Sequence, residues 1–317
     1  MTVTTEPDGL EELRERMDEL RTTAEQRGID VSEQLRLLEE QLDTARDSSP
    51  AELSRFDRVK IARNPNRPFT LDFIESLCED FFELRGDRSF RDDPAIVGGW
   101  ARFSGRSVMV LGHQKGREMK ENLQRNFGSP HPEGYRKAKR LFKLAEKFGR
   151  PVITFIDTQG AYPGIGAEER GQGQAIAENL IVMAGLRVPI VTCIIGEGGS
   201  GGALGIAVAD RVLMLENAIY SVISPEGCAA ILWRSRDHAD RAAEALKLTA
   251  TDLLELDVVD EIVDEPGGGA HADPQAAIRA VGEAIARALD ELRGVDPEVL
   301  VERRREKYYA MGVWEEA

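Results

Sequence analysis

PIVTCIIGEGGSGGALGIAVA, residues 189–209, is the stretch whose reading decides the fold. Pro189–Gly196 is an apolar run, interrupted only by Thr192 and rich in β-branched residues, the signature of a strand buried on both faces. A strand ending at Ile195 is followed by seven residues of which five are glycine, and a helix of small residues, 201–209, begins near Gly201. Glycine in that density lets a ligand press directly on the backbone. A helix N-terminus adds unpaired N–H groups and partial positive charge. Together they make a site for an oxygen that carries or acquires negative charge.

The same pattern recurs on either side. Upstream, the strand 151–157 (PVITFID) leads through DTQGAYPG, 157–164, into a helix over 168–186. Downstream, a strand over 211–222 precedes a helix over 226–235. Strands that end in a glycine loop feeding a helix read as stacked ββα units, an α/β fold with both sheet faces covered. Farther out, Ile96–Phe103 and 107–113 read as a hairpin across Ser104-Gly105-Arg106. A helix is expected over 70–85, a basic amphipathic one over 134–148, a last strand over 258–263, and two closing helices over 274–293 and 296–309. Residues 1–48 are different territory, without an aromatic residue. Leu10, Leu13, Met17, Leu20 and Ala24, then Val31, Leu35, Leu38, Leu42 and Ala45, repeat at helical spacing around a turn at Arg27–Asp30. Asp30 and Glu33 make a capping box for the second helix. The expected organisation is an N-terminal helical hairpin, 1–48, a linker at Asp47–Pro50, and one large domain over 55–312.

Composition narrows the function. The 317 residues carry a formal net charge of −15, against nucleic acid as a general partner. No run approaches ~18 consecutive apolar residues, so no membrane span is expected. The polar, acidic start, MTVTTEPDGLEELRER, does not read as a signal peptide, and the expected location is cytoplasmic. Cys78, Cys193 and Cys228 form no CxxC pair, so no metal site is expected in this chain.

Three short motifs compete for the glycine run. Gly196, Gly198 and Gly201 satisfy G-x-G-x-x-G, although a dinucleotide fingerprint belongs on the first strand of its domain. Gly198-Gly199-Ser200-Gly201-Gly202 satisfies G-x-S-x-G, the turn of a serine hydrolase, which needs a partner among His113, His131, His238 and His271. No G-K-[ST] follows, which excludes a Walker loop.

Longer blocks decide among them. NPNRPFTLDFI (64–74), DDPAIVGG (92–99), KENLQRNFG (120–128), PEGYRKA (132–138), FIDTQGAYPG (155–164), AEERGQ (167–172), IGEGGSGGA (195–203) and YSVISPEG (220–227) resemble the alpha subunits of bacterial acetyl-CoA carboxylase carboxyltransferases over roughly residues 55–312. The resemblance implies a crotonase-like fold of stacked ββα units. It implies transfer of a carboxyl group from carboxybiotin to acetyl-CoA, giving malonyl-CoA for fatty acid synthesis. It also implies biotin on a separate carrier protein, a separate biotin carboxylase that uses ATP, and a beta subunit that holds the zinc in an α2β2 assembly. A crotonase-fold serine hydrolase and a non-catalytic assembly subunit are the alternatives.

On that resemblance the backbone N–H groups of Gly201 and Gly202 form the oxyanion hole for the biotin ureido oxygen, within the cradle of Gly198 and Gly199. Gly160 and Ala161 offer a further N–H, and Tyr162 a wall for biotin. Arg117, after Lys115 in the loop that leaves the strand at His113, is the candidate for gripping the carboxylate being transferred. Glu226 reads first as an acid in the first turn of a helix capped by Ser224 and Pro225, and second as a cleft residue. The basic helix, with Arg136, Lys137, Lys139, Arg140 and Lys143, is a candidate for CoA phosphates or the carrier protein. A β-branched residue at 202 is expected to block the oxygen without disturbing the fold.

Overall fold

The computed structural model describes residues 53–312. The hairpin expected over 1–48 lies outside the described residues. Eight strands form one sheet: β1 (Cys78–Glu83), β2 (Ile96–Phe103), β3 (Arg106–His113), β4 (Val152–Thr158), β5 (Ile190–Gly199), β6 (Arg211–Leu215), β7 (Ile219–Ser221) and β8 (Glu261–Val263). Their order is β1-β2-β3-β4-β5-β6-β8, with β7 beside β5. β1, β2 and β3 pair antiparallel, and β3 through β8 pair parallel. Every residue of β4 and all of β5 but Gly199 are buried, Asp157 and Glu197 included, because both faces of the sheet are covered there.

The helices are α1 (Arg55–Ala62), α2 (Thr70–Leu77), α3 (Met119–Gln124), α4 (Pro132–Lys147), α5 (Ile165–Glu169), α6 (Gln172–Ala184), α7 (Ser200–Leu204), α8 (Pro225–Trp233), α9 (Ala239–Leu246), α10 (Ala250–Glu255), α11 (Pro274–Glu291) and α12 (Pro297–Ala310). Three open on a side-chain cap followed by proline: Ser224 before Pro225, Asp273 before Pro274 and Asp296 before Pro297. The cap accepts a free N–H and the proline ring is pre-set for the first turn. α4 packs on α6 and on β2 and β3, while α11 packs on α2, β5 and β6. None of the described helices is long and apolar enough to cross a membrane.

The hairpin turn is where the sequence puts it. Ser104 and Gly105 both take positive φ, 48° and 73°, the geometry a two-residue hairpin loop requires. Four expectations need correction. The helix expected over 70–85 stops at Leu77, because Cys78–Glu83 pairs with β2 as an edge strand bulged at Asp80. The helix expected over 168–186 is two helices parted at Gly171, whose φ is +79°. The strand expected over 211–222 breaks into β6 and β7: Val191–Ile194 of β5 pair with β6, and Glu197–Gly199 pair with β7. β5 therefore does not end at Ile195. It runs on through the first glycines, and the helix expected over 201–209 is instead the shorter Ser200–Leu204.

Candidate active site

The long β5 delivers the glycine run to the end of β4, where Thr158 pairs with Gly198. From there the two chains lie almost in contact. A Cβ on Gly199 would sit 2.2 Å from the Gln159 carbonyl oxygen, and one on Gly202 would sit 2.3 Å from the Ala161 nitrogen and 2.5 Å from the Gly160 carbonyl carbon. Gly198 is covered by the Tyr220 ring, 2.6 Å from where its Cβ would be. Gly198, Gly199 and Gly202 are thus close-packing positions. Gly201 differs: its Cβ would meet nothing nearer than Ile176, at 3.9 Å. The expectation that residue 202 borders open space is corrected. Gly201 has the open side and Gly202 is wedged against backbone.

Gly201 also lines a cavity of about 290 Å³, with Ser200, Leu204, Tyr220, Val222 and Tyr308 among its apolar walls. In the first turn of α7 no intrahelical acceptor lies four residues back, so the Gly201 and Gly202 N–H groups have no helical partner. Ala161, whose nitrogen lies against Gly202, makes no backbone bond through its N–H among the described residues. The Gly160 N–H is already used: it donates to Thr158 Oγ1 at 3.1 Å. Gly160 therefore shapes the loop, with φ at +147°, rather than offering a donor. Tyr162 stands beside this turn, exposed and stacked on His131 with ring centroids 4.3 Å apart, and does not line that cavity.

Next to the glycines runs a chain of charges, buried at Asp157 and Glu197 and partly exposed at Arg63 and Glu226. Lys115 Nζ contacts Asp157 Oδ1 at 2.6 Å and Glu197 Oε1 at 3.2 Å. Glu197 Oε2 accepts from Arg63 Nε at 2.8 Å, and the Arg63 fork continues onto Glu226 at 2.6 and 3.2 Å. Burial alone would push the Lys115 ammonium down, yet the Asp157 and Glu197 carboxylates hold it above its ordinary value. Lys115 is charged and internal, so the structure does not present it to a substrate. The bond from Arg63 keeps Glu226 below the usual carboxylate range. Its helix is capped by Ser224 Oγ, which accepts from the Gly227 N–H at 3.1 Å, as the simpler reading of Ser224-Pro225-Glu226 holds.

Arg117 is placed differently from the expectation. Its guanidinium donates to the Pro65 and Arg67 carbonyls at 2.7 and 2.9 Å, pairs with Asp72, and lies 4.0 Å over the Phe69 ring. The fork expected to grip a carboxylate clamps the loop before α2 instead. Most of the basic helix is also committed. Arg136 pairs with Asp87 and Glu133, Lys137 is buried on Asp92, Lys139 pairs with Glu178, and Arg140 bonds the carbonyls of Leu84 and Gly86.

Ser200 takes φ +52°, the left-handed turn that a G-x-S-x-G nucleophile would also use. No such relay is assembled around it among the described residues. The His113 ring is wholly buried beside the backbone of Gly202 and Phe155, and burial pushes it down to about 3, so it is neutral. His131 is stacked on Tyr162 and bonded to Asn126, and His238 packs edge-on to Trp233.

Sequence reasoning missed Arg63, Asp157 and Glu197. The signal was present, since a buried acid inside an apolar glycine run needs a cation nearby. It does not say which cation of the 41 lysines and arginines answers it.

A family model described as acetyl co-enzyme A carboxylase carboxyltransferase-like matches residues 5–312. The chain is 60% identical over 301 residues to an acetyl-coenzyme A carboxylase carboxyl transferase subunit alpha of Thermus thermophilus, covering 95% of this chain and 96% of that one. It is 54% identical over 312 residues to the subunit of the same name from Deinococcus radiodurans, covering 98% and 99%. Among solved structures it is similar in fold to transcarboxylase 12S, with a TM-score of 0.58 and 21% identity over 71% of this chain and 42% of that one. It is similar in fold also to a chain of the malonate decarboxylase hetero-tetramer of a Pseudomonas, with a TM-score of 0.56 and 17% identity over 67% of this chain and 85% of that one.

Proposed function

The chain belongs to the acetyl co-enzyme A carboxylase carboxyltransferase-like family, and on that footing we propose that it is the alpha half of the enzyme that carboxylates acetyl-CoA to malonyl-CoA, the entry to fatty acid synthesis. Its partners in this reading are a beta subunit, in an α2β2 assembly, a biotin carrier protein and a biotin carboxylase. Biotin, when bound, supplies a ureido ring that carries the carboxyl group to be transferred. The chain's own part is electrostatic. An oxygen that becomes negative as the carboxyl group leaves is stabilised by N–H donors fixed in advance, and removing one such donor costs about 10²–10³ in rate. The Gly201 and Gly202 N–H groups at the start of α7, with Ala161 beside them, are the donors. Apolar walls keep water from competing for them. Transfer of this kind needs no nucleophile from the protein. The second oxyanion, on the acetyl thioester, is assigned to the beta subunit.

The observation that carries the reading is the position of Gly201: first turn of α7, open side, lining the 290 Å³ apolar cavity. The experiment is reconstitution with a beta subunit, followed by malonyl-CoA-dependent carboxylation of biotin. Transfer is expected from the pair and not from this chain alone. Turnover by the isolated chain would overturn the division of labour, and an inactive pair would overturn the function.

A further inference from the structure

α7 is only five residues long, too short to hold its own orientation through intrahelical bonds. Two side chains from other helices hold it instead. Tyr135 of α4, fully buried, donates its O–H to the Gly202 carbonyl at 2.9 Å. Its ring edge fills the place of a Gly205 Cβ, 2.6 Å away. Asn179 of α6, also fully buried, donates its amide to the Gly205 carbonyl at 2.9 Å and to the Tyr135 carbonyl at 3.0 Å. The middle of α7 and its C-cap are therefore held at their carbonyls, which in a helix point away from the N–H groups. Asn179 does this at a cost, because its Oδ1 is buried without a partner. An apolar side chain would fill the space without that loss.

A carbonyl fixed in direction fixes the rotation of its turn, and with it the aim of the N–H groups one residue away. We propose that Tyr135 and Asn179 are positioning residues for the transfer reaction: a two-point clamp that aims the Gly201 and Gly202 donors. Their effect is on rate rather than on binding, since donors built for the transition state matter most there. A misplacement of about 1 Å costs on the order of 10²-fold. The inference rests on the carboxyltransfer reading for its effect on rate, but not for the mechanical clamp.

The test compares Tyr135→Phe with Thr154→Val in the reconstituted complex. Thr154 shares an equally buried hydroxyl bond with Thr192, 2.6 Å, between β4 and β5 and not at the turn. Tyr135→Phe is expected to lower kcat at least tenfold with KM for malonyl-CoA within about twofold of wild type. Thr154→Val is expected to lose comparable Tm at near wild-type kcat. Hydrogen exchange supplies a readout independent of activity, through the amides of Gly205, Ile206 and Ala207, which bond back to Gly201, Ala203 and Leu204. They are expected to exchange faster in Tyr135→Phe while the β5 amides stay unchanged. Asn179→Ser, which removes the second grip, reads out in the same way. Unchanged exchange at 205–207 in both variants overturns the clamp, whatever the activity. Faster exchange with unchanged kcat overturns its effect on rate and leaves the carboxyltransfer reading standing. An inactive wild-type complex overturns that reading, and the rate effect with it, while exchange still judges the clamp.

Discussion

Adjacent glycines 201 and 202 are expected to answer to substitution in opposite ways. A Cβ at 202 would lie 2.3 Å from the Ala161 nitrogen and 2.5 Å from the Gly160 carbonyl carbon, both far inside the limit for real contacts. Both atoms are backbone, so no rotamer change relieves the clash, and the 160–161 peptide must move. Overpacking of this kind costs about 1–3 kcal/mol. In a domain of this size each kcal/mol lowers Tm by roughly 2–4 °C. Gly202→Ala is therefore expected to melt several degrees low, and to lose at least tenfold in rate even well below its melting point, because the Ala161 N–H moves with the peptide. A Cβ at 201 would meet only Ile176 at 3.9 Å, an ordinary contact. Alanine there exchanges a poor helix former for the best one, worth up to about 1 kcal/mol. Gly201→Ala should thus hold or raise Tm. Gly201→Val should stay folded and lose at least tenfold in rate, since a branched side chain beside the first N–H groups of α7 crowds the approach of the oxygen. The assays are thermal melting and biotin carboxylation from malonyl-CoA in the same complex. A Gly202→Ala variant with unchanged Tm refutes the close-approach argument. A fully active Gly201→Val refutes the placing of the reacting oxygen at this turn.

Ser200→Ala is expected to keep kcat within a few-fold of wild type, since the serine serves a left-handed turn and not as a nucleophile; a loss of about 10⁴-fold would revive the hydrolase reading. His113 predicts a pH dependence of stability. Its folded imidazole sits near 3 because burial disfavours the charged form, against 6.5 when free, so between those values only the unfolded chain takes up the proton. The contribution is complete above pH 6.5 and is lost as pH falls, by about 1.4 kcal/mol per unit within the window. Urea unfolding at pH 7, 6 and 5 should show that slope in wild type and a slope smaller by one proton in His113→Leu; equal slopes would refute it.

Much of this protein is legible in its residues alone. The largely apolar, β-branched runs at 151–157 and 189–196 read as central strands, because nearly all of their side chains lack a polar group to turn to water. Serine or aspartate followed by proline fixes the helix starts at 225, 274 and 297, since cap and ring act within one turn. The glycine density before α7 marks the candidate site for the same local reason. What the sequence could not decide is whatever depends on a partner distant along the chain. Residues 78–83 suit a helix as well as a strand, and β2 chooses for them. Arg117 and Lys115 look alike as free cations after a strand. Only folding brings Asp157 and Glu197, 42 and 82 residues on, around the lysine, and the carbonyls of Pro65 and Arg67 under the arginine. Gly201 and Gly202 are the same residue side by side. They differ only because the end of β4 crosses one of them and leaves the other facing the cavity, and that crossing is a tertiary fact.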